Sequence, residues 1–286
     1  MTSKTEKKNS VIYFMFIVPS LLLIIFTIVY PFISGINIAF TDWDGISKTY
    51  NYIGIKNFIN LFSDKSIGRS IRNTLVFAVG YTVINNILAL ALAVFLMKKM
   101  VGRNMIKTIF FIPMALSPVL AAFVWSFIDR NIIANLLGTK SLLGSPKTVI
   151  IGIIIIAFWN AVGSNLMIYI AGLTNISKDY YEAAKIDGAG ERTTFRYIMV
   201  PLLGPSFTMC IVLTLTSSLR EFATVMAATG GGPAKSSETV AIFIYRNLFS
   251  YQKAGYGQAV AIIFMVILVA LGTTLNRFFR SREVEM

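Results

Sequence analysis

Six stretches of the chain stay apolar for about the length of a bilayer crossing. A membrane-spanning helix needs roughly 20 mostly apolar residues. The runs 11–33, 71–97, 108–128, 148–173, 205–228 and 256–278 meet that requirement. The expected fold class is therefore an all-α integral membrane protein with six transmembrane helices. The second run is long enough to tilt. Pro113 and Pro118 in the third predict a kink whose freed carbonyls face protein or water rather than lipid.

Composition agrees with that reading. The chain is 56% hydrophobic and 14% charged, where a soluble domain carries about a quarter charged residues. The net charge of +13 would suggest nucleic acid in a soluble protein. In a membrane chain, Lys and Arg gather at the cytoplasmic helix ends instead, so no nucleic-acid partner is expected and membrane lipid is. With no histidine and one cysteine, Cys210, inside an apolar run, neither an internal disulfide nor a Cys/His metal site is available. Cys210 reads as a small packing residue. Lys4, Lys7 and Lys8 precede a run too long for a signal-peptide core and without a small-x-small cleavage site, which predicts a retained first helix.

Charge also orients the chain. With both termini in the cytoplasm, the inner segments hold fourteen of the 26 basic residues over the shorter connections: Lys98, Lys99, Arg103 and Lys107 in one, Lys178, Lys185, Arg192 and Arg196 in another, and the rest near the termini, including Arg277, Arg280 and Arg282. The expected organisation is a cytoplasmic tail 1–10, a permease-like membrane domain 11–278 interrupted by a cytoplasmic loop 175–203, and a cytoplasmic tail 279–286. The stretches "TDWDGISKTYNYIGIKNFINLFSDK" and "TGGGPAKSSET" then lie outside.

The loop 175–203 is polar and punctuated where its neighbours are not. Ser177 suits a helix N-cap, with Asp179 in the first turn where an acid complements the helix dipole. Ala183 and Ala184 offer a small, flat face. Gly188 and Gly190 end that helix with backbone angles other residues resist, and a second short helix follows over 194–199 before Pro201 returns the chain to the bilayer. Asp179, Glu182, Asp187 and Glu191 are mixed with Lys185 and Arg192, which makes a solvated face rather than a cation site. Composition alone leaves the loop equally readable as an amphipathic connector or as a docking knob.

Glu182-Ala183-Ala184, three residues, Gly188, nine residues, Ile198, one residue and Val200-Pro201 resembles the EAA signature of ABC-importer permeases, with Val200 in place of Leu. "IDGA" at 186–189 is similar to the carbohydrate, maltose-type branch. "FTDWDG" at 40–45, "GIKNF" at 54–58, "NTLVF" at 73–77 and "TGGGP" at 229–233 extend the resemblance over nearly the whole chain. It implies a type I ABC-importer permease fold, in a bacterial-type plasma or inner membrane, with a cytoplasmic coupling helix. The implied partners are a second homologous permease, two ATPase subunits that bind ATP and magnesium, an extracellular solute-binding protein and a sugar. No cofactor is implied for this chain itself. Glu182, Ala183, Ala184, Asp187, Gly188 and Ala189 would form the ATPase-coupling surface, with Glu182 facing a basic residue of the ATPase. The outer loops with Asp42, Trp43 and Asp44, and with Gly230 to Gly232, are the implied docking surfaces for the binding protein.

"GGGPAKSS" imitates a phosphate loop, but Ala234 stands before Lys235 where the Walker pattern requires Gly, and the segment follows a membrane run rather than a strand. The chain is therefore not expected to be an enzyme or to hold a nucleotide. In the fifth run, Thr214, Ser217, Ser218, Glu221 and Thr224 recur at helical spacing and are expected on one face, with Arg220 about 100° around the helix. Asn160, Gly163, Ser164 and Met167 make a second mixed face on the fourth. Ionisable groups in a bilayer face a cavity or a partner, whereas Ser, Thr and Gly also serve helix packing. The resemblance implies that Ser164, Thr214, Ser218 and Glu221 line a sugar cavity, and Asn160 joins them as a candidate pathway residue. Glu221 replaces an amide of the maltose-type proteins and Arg220 adds a charge, which points away from a maltose-like substrate towards a charged or differently linked sugar. The competing readings are an ABC permease for a non-sugar solute and an ion-coupled carrier in which Arg220 and Glu221 relay charge.

Overall fold

A computed structural model describes residues 2–98 and 100–281, with side-chain surroundings from residue 13 onward except at 137. Lys99 and Arg282, counted above among the inner basic residues, lie outside the described residues, as does most of the expected C-terminal tail. Among the described residues the regular structure is helical, apart from one isolated bridge between Thr41 and Tyr52. The chain divides into two compact units, one comprising 1–64 with 244–263 and the other 65–243 with 264–286.

In the first unit, helix α1 runs Thr2–Ile24, passes through a π turn at Ile25–Val29 and continues as Tyr30–Ala39. Residues 2–10, expected as a cytoplasmic tail, are helical and continuous with the first span. The apolar side chains of α1 are exposed, as at Phe16 (79%) and Phe26 (72%). From Tyr13 to Ile33 no described side chain of this helix is buried, whereas Gly35 and Ala39 at its end are; an apolar surface so exposed is suited to lipid or another protein. Its end is held by Asn57, whose Nδ2 donates to Ala39 O (2.9 Å) and Thr41 O (2.8 Å). This gives the "GIKNF" asparagine a physical reason, because the last carbonyls of a helix have no partner of their own. Asn57 lies on the short helix α2, Lys56–Ser63.

The second unit is built on α3, Lys65–Met97. The expected third span is two pieces: α4, Arg103–Phe111, then a 3₁₀ turn Ile112–Ala115 and α5, which starts at Pro118 and extends through a π turn to Leu137. Ser117 caps α5 by accepting a bond from Leu120 N (3.2 Å). The proline kink is present, and its carbonyls face protein, because Asn160 Nδ2 donates to Pro113 O (2.8 Å) and Leu116 O (3.2 Å). Helix α6, Val149–Asn175, packs along α3. The loop then carries α7, Lys178–Ile186, and α8, Glu191–Leu202.

Helix α9, Gly204–Leu219, follows α8 at a bend of 68°. The expected fifth span over 205–228 ends early: α9 stops at Leu219 and a separate helix α10 covers Ala223–Thr229. Then come α11, Val240–Ser250, and α12, Ala254–Arg280. Among the described residues, five helices are long and apolar enough to cross a membrane, or six if the bent pair α8–α9 is counted as one span.

Two apolar clusters hold the second unit. One joins Phe77 and Tyr81 of α3 to Ile153 and Ile156 of α6, Val225 of α10 and Ile242 of α11. The other joins Ala89, Ala93 and Leu96 of α3 to Leu166, Tyr169 and Leu173 of α6 and to Leu203 and Cys210. Cys210 is a fully buried packing residue, as expected. Small residues matter here because lipid tails solvate apolar side chains as well as a protein does, so close approach drives association. At Gly163 a Cβ would lie 2.7 Å from Phe110 O, so only glycine lets α4 reach α6.

Candidate functional site

The loop 175–203 is built largely as its residues dictate. Ser177 Oγ accepts from Asp179 N (3.3 Å) and donates to Asp179 Oδ2 (3.0 Å), which starts α7. At the other end Ala189 N donates to Ala184 O (2.8 Å) and Gly188 N to Lys185 O (3.2 Å). These paired bonds satisfy the last carbonyls of α7 and require a left-handed residue between them. Gly188 supplies it, with φ +74°. Gly190 does not: its φ of −75° is open to any residue, so the second glycine is not needed for the turn. The second helix begins at Glu191, earlier than the expected 194, and 195–199 form a π turn.

Glu182, Ala183, Lys185, Asp187 and Gly188 are exposed and Ala189 is half-buried, but Ala184 is buried at 7%. The flat face expected from Ala183 and Ala184 is therefore split. Ala183 points outward while Ala184 holds α7 down, helped by Tyr181 against the inner apolar cluster. Burial raises the Tyr181 phenol above its ordinary range. Between α7 and α8 lies an open groove of about 450 Å³ walled by Ala184, Asp187, Gly188, Thr194 and Tyr197. A surface ion pair, Lys98 Nζ to Glu191 Oε2 at 3.1 Å, ties the loop to the end of α3.

The expected pathway residues do not form one set. Thr214 and Ser218 are buried, at 5% and 2%. Thr214 Oγ1 accepts from Asn165 Nδ2 (2.9 Å), and Ser218 Oγ donates to Leu215 O (2.9 Å). Ser164 is half-buried, its hydroxyl turned to Ala161 O (2.7 Å), and Asn160 is engaged with the kink carbonyls. The single polar face expected through Glu221 and Thr224 is broken, because the helix ends at Leu219. The cause is local. Arg220 Nε donates to Thr216 O (3.2 Å) at the end of α9. Glu221 Oε1 accepts from Thr224 N (2.7 Å) and starts α10, while Glu221 O accepts from Thr239 Oγ1 (3.1 Å). Arg220 and Glu221 thus each bond the backbone at a helix end. The face on α6 also divides: Gly163 meets α4, while Ser164 and Met167 remain partly or fully exposed.

Sequence reading missed a polar seam inside the second unit. Tyr169 Oη donates to Asn86 Oδ1 (2.7 Å), Asn86 Nδ2 to Thr82 O (2.8 Å), and Asn165 pairs with Thr214. The buried carboxylate of Glu238 accepts from Ser70 Oγ (3.3 Å), and Asn73 Nδ2 donates to Lys235 O (3.0 Å) and Glu238 O (3.2 Å). The "TGGGP" stretch is thus the lead-in to a loop anchored on α3, between helices α10 and α11. The available signal was amide side chains within apolar runs, since buried polar groups in a membrane must find partners.

Residues 85–284 match the family described as "Binding-protein-dependent transport system inner membrane component". Along its length the chain is 34% identical to "Probable starch degradation products transport system permease protein AmyD" of Thermoanaerobacterium thermosulfurigenes, over 98% of this chain and 97% of that one. It is 29% identical to "Multiple sugar-binding transport system permease protein MsmF" of Streptococcus mutans serotype c, over 94% of each. Its fold is similar to a chain in the crystal structure of a bacterial ABC transporter involved in the import of the acidic polysaccharide alginate, with a TM-score of 0.85, 20% identity, and coverage of 98% of this chain and 99% of that one.

Proposed function

The chain belongs to the inner-membrane components of binding-protein-dependent transport systems, and on that premise we propose that it is the permease subunit of an ATP-driven importer of sugars, with oligosaccharides as the substrate class. The names of the two relatives support a saccharide cargo. In this reading the termini and the loop with α7 and α8 face the cytoplasm. A second homologous permease completes the membrane passage, two ATPase subunits bind ATP and magnesium, and an extracellular solute-binding protein delivers the sugar.

The observation that carries the coupling role is the loop itself: a capped helix, a glycine-specific turn and exposed Glu182 and Ala183 beside buried Ala184. Glu182, Ala183, Asp187, Gly188 and Ala189 form the surface that the ATPase grips, and Ala184 sets its height above the bundle. Closure of the ATPase pair draws the two permeases' loops together and swings them between inward-open and outward-open, a rigid-body change. On the substrate side, Ser164 and Glu221 are the candidates with exposed surface. Asn160, Thr214 and Ser218 shape the passage by holding the helices that carry them.

The test is affinity purification of the tagged chain from mild detergent, beside Glu182→Lys, with subunits identified and ATPase activity assayed. The unaltered chain is expected to retain a second permease and an ATPase, and Glu182→Lys to keep the permease and lose the ATPase. A chain that purifies alone, with no ATP-dependent uptake from a panel of sugars, amino acids and phosphate esters, would sink the reading.

A further inference from the structure

The first unit contains a polar cavity that neither the coupling loop nor the membrane passage uses. It measures about 470 Å³, and its wall includes Asp42, Trp43, Asn60, Asp64, Gln252 and Lys253. That volume lies inside the about 300–1,000 Å³ range of small-ligand sites. We propose that this cavity is a saccharide subsite, in which a neutral sugar ring lies against Trp43 and its hydroxyls bond to Asp42, Asn60, Asp64 and Gln252. The proposal rests on the importer reading above, in which the 40–64 segment faces outside.

Charge balance selects the ligand class. Two carboxylates, Asp42 and Asp64, are matched by two ammonium groups, Lys56 and Lys253. A wall with no net charge gives an ion no preference, whereas carboxylate acceptors, ammonium donors and the two-sided amides of Asn60 and Gln252 suit a ligand whose every group both donates and accepts. Hydroxyls do both.

The wall is also fixed in advance. Asp42 accepts from Asn51 N (2.7 Å) and Asn51 Nδ2 (3.2 Å). The Trp43 indole donates to Ser47 O (2.8 Å), and Trp43 O accepts from Gly255 N (2.9 Å). Tyr256 Oη donates to Asp64 Oδ2 (2.8 Å). Groups already held in place lose little freedom when a ligand arrives. At the rim, Gln252 adopts φ +54°, a left-handed backbone that non-glycine residues resist and that tends to occur at ligand clamps.

Aromatic rings continue the site. Trp43 lies 6.2 Å from Tyr50, and Tyr50 lies 6.2 Å from Tyr52, with both tyrosines exposed. The electron-rich face of such rings attracts the weakly positive C–H face of a pyranose. A polar cleft beside an aromatic rail can thus hold one end of an oligosaccharide before it enters the membrane passage.

The test uses the assembled transporter in lipid nanodiscs, without its binding protein, and maltoheptaose as the probe. Tryptophan fluorescence is expected to change saturably with sugar in the unaltered protein and not in Trp43→Phe. In Asn60→Ala the apparent affinity is expected to fall about tenfold, which is ~1.4 kcal/mol. Matching elution profiles and thermal unfolding of the variants exclude misfolding as the cause. No saturable change in the unaltered protein overturns the proposal. So does an unaltered sugar response in both variants accompanied by weakened capture of the binding protein, which would assign the cavity to a protein loop. A Lys48→Cys probe separates the two readings, since Cys210 is buried. Labelling from outside by an impermeant maleimide, with no sugar response, refutes the subsite alone. Absence of outside labelling refutes the orientation on which both readings depend.

Discussion

Ala183→Leu and Ala184→Leu are the same chemical change one residue apart, and burial separates them. At 184 the added carbons start from a buried position in the wall of the α7–α8 groove, where crowding the neighbouring side chains costs about 1–3 kcal/mol. At 183 they project into solvent. Thermal unfolding should therefore fall for Ala184→Leu and stay level for Ala183→Leu, while retention of the ATPase in pull-downs should fail for Ala183→Leu. Equal loss of stability in both would mean that α7 is not oriented as described. Glu221 carries a similar lesson. Its spacing from Ser218 and Thr214 fits one helix face, yet its carboxylate holds an amide in the first turn of the next helix, Thr224 N. Spacing counts residues along a helix assumed to continue, and it cannot register a side chain that ends the helix by bonding its own backbone.

At the scale of elements, the turn after α1 owes its shape to ionised carboxylates. The hydroxyl of Ser47, then the amides of Ser47 and Ile46, bond Asp44 and lower its pKa from 3.8 to about 2. The Asn51 amide and side chain lower Asp42 in the same direction. A depressed carboxylate adds stability that is complete above its ordinary pKa and is lost as pH falls through the lowered value. The turn should accordingly hold its order down to about pH 4 and loosen on approach to about pH 2. Protease nicking within 42–51 across that range would measure it, and Asp44→Ala should be nicked readily at neutral pH. A turn equally resistant at pH 2 and pH 7 would contradict this account. The proline break between α4 and α5 was legible in the chain, because Pro113 and Pro118 cannot continue a helix. Which residue accepts the exposed carbonyls was not, since Asn160 lies 44 and 47 residues away.

For the whole molecule, the exposed surface of α1 is the governing fact. The 18-residue apolar window of its candidate span is 0% buried within the chain, although Gly35 and Ala39 near its end are buried, so most of an apolar helix is left to lipid or a partner. Co-expression with the second permease should lengthen the half-life of this chain in membranes and raise its unfolding temperature, as expected when a partner binds only the folded form. No change in either quantity would mean that lipid alone suffices to cover it.

The amino-acid sequence by itself determined the helical membrane class, the approximate spans, the glycine turn at 188 and the family signature. These depend on local composition and on spacings within one or two turns, where backbone hydrogen bonding and transfer into lipid act residue by residue. Only the tertiary structure decided that Ala184 is buried beside exposed Ala183, that α9 ends before Glu221, that Asn165 meets Thr214, and that Asp42, Asn60 and Gln252 surround one cavity. The end of α9 is set by side chains bonding backbone three or four residues away; each of the others is a relation between segments distant in the chain or a choice between two sides of a helix. No periodicity encodes such a relation, because it is settled by which surfaces pack together and which polar atoms must then find partners.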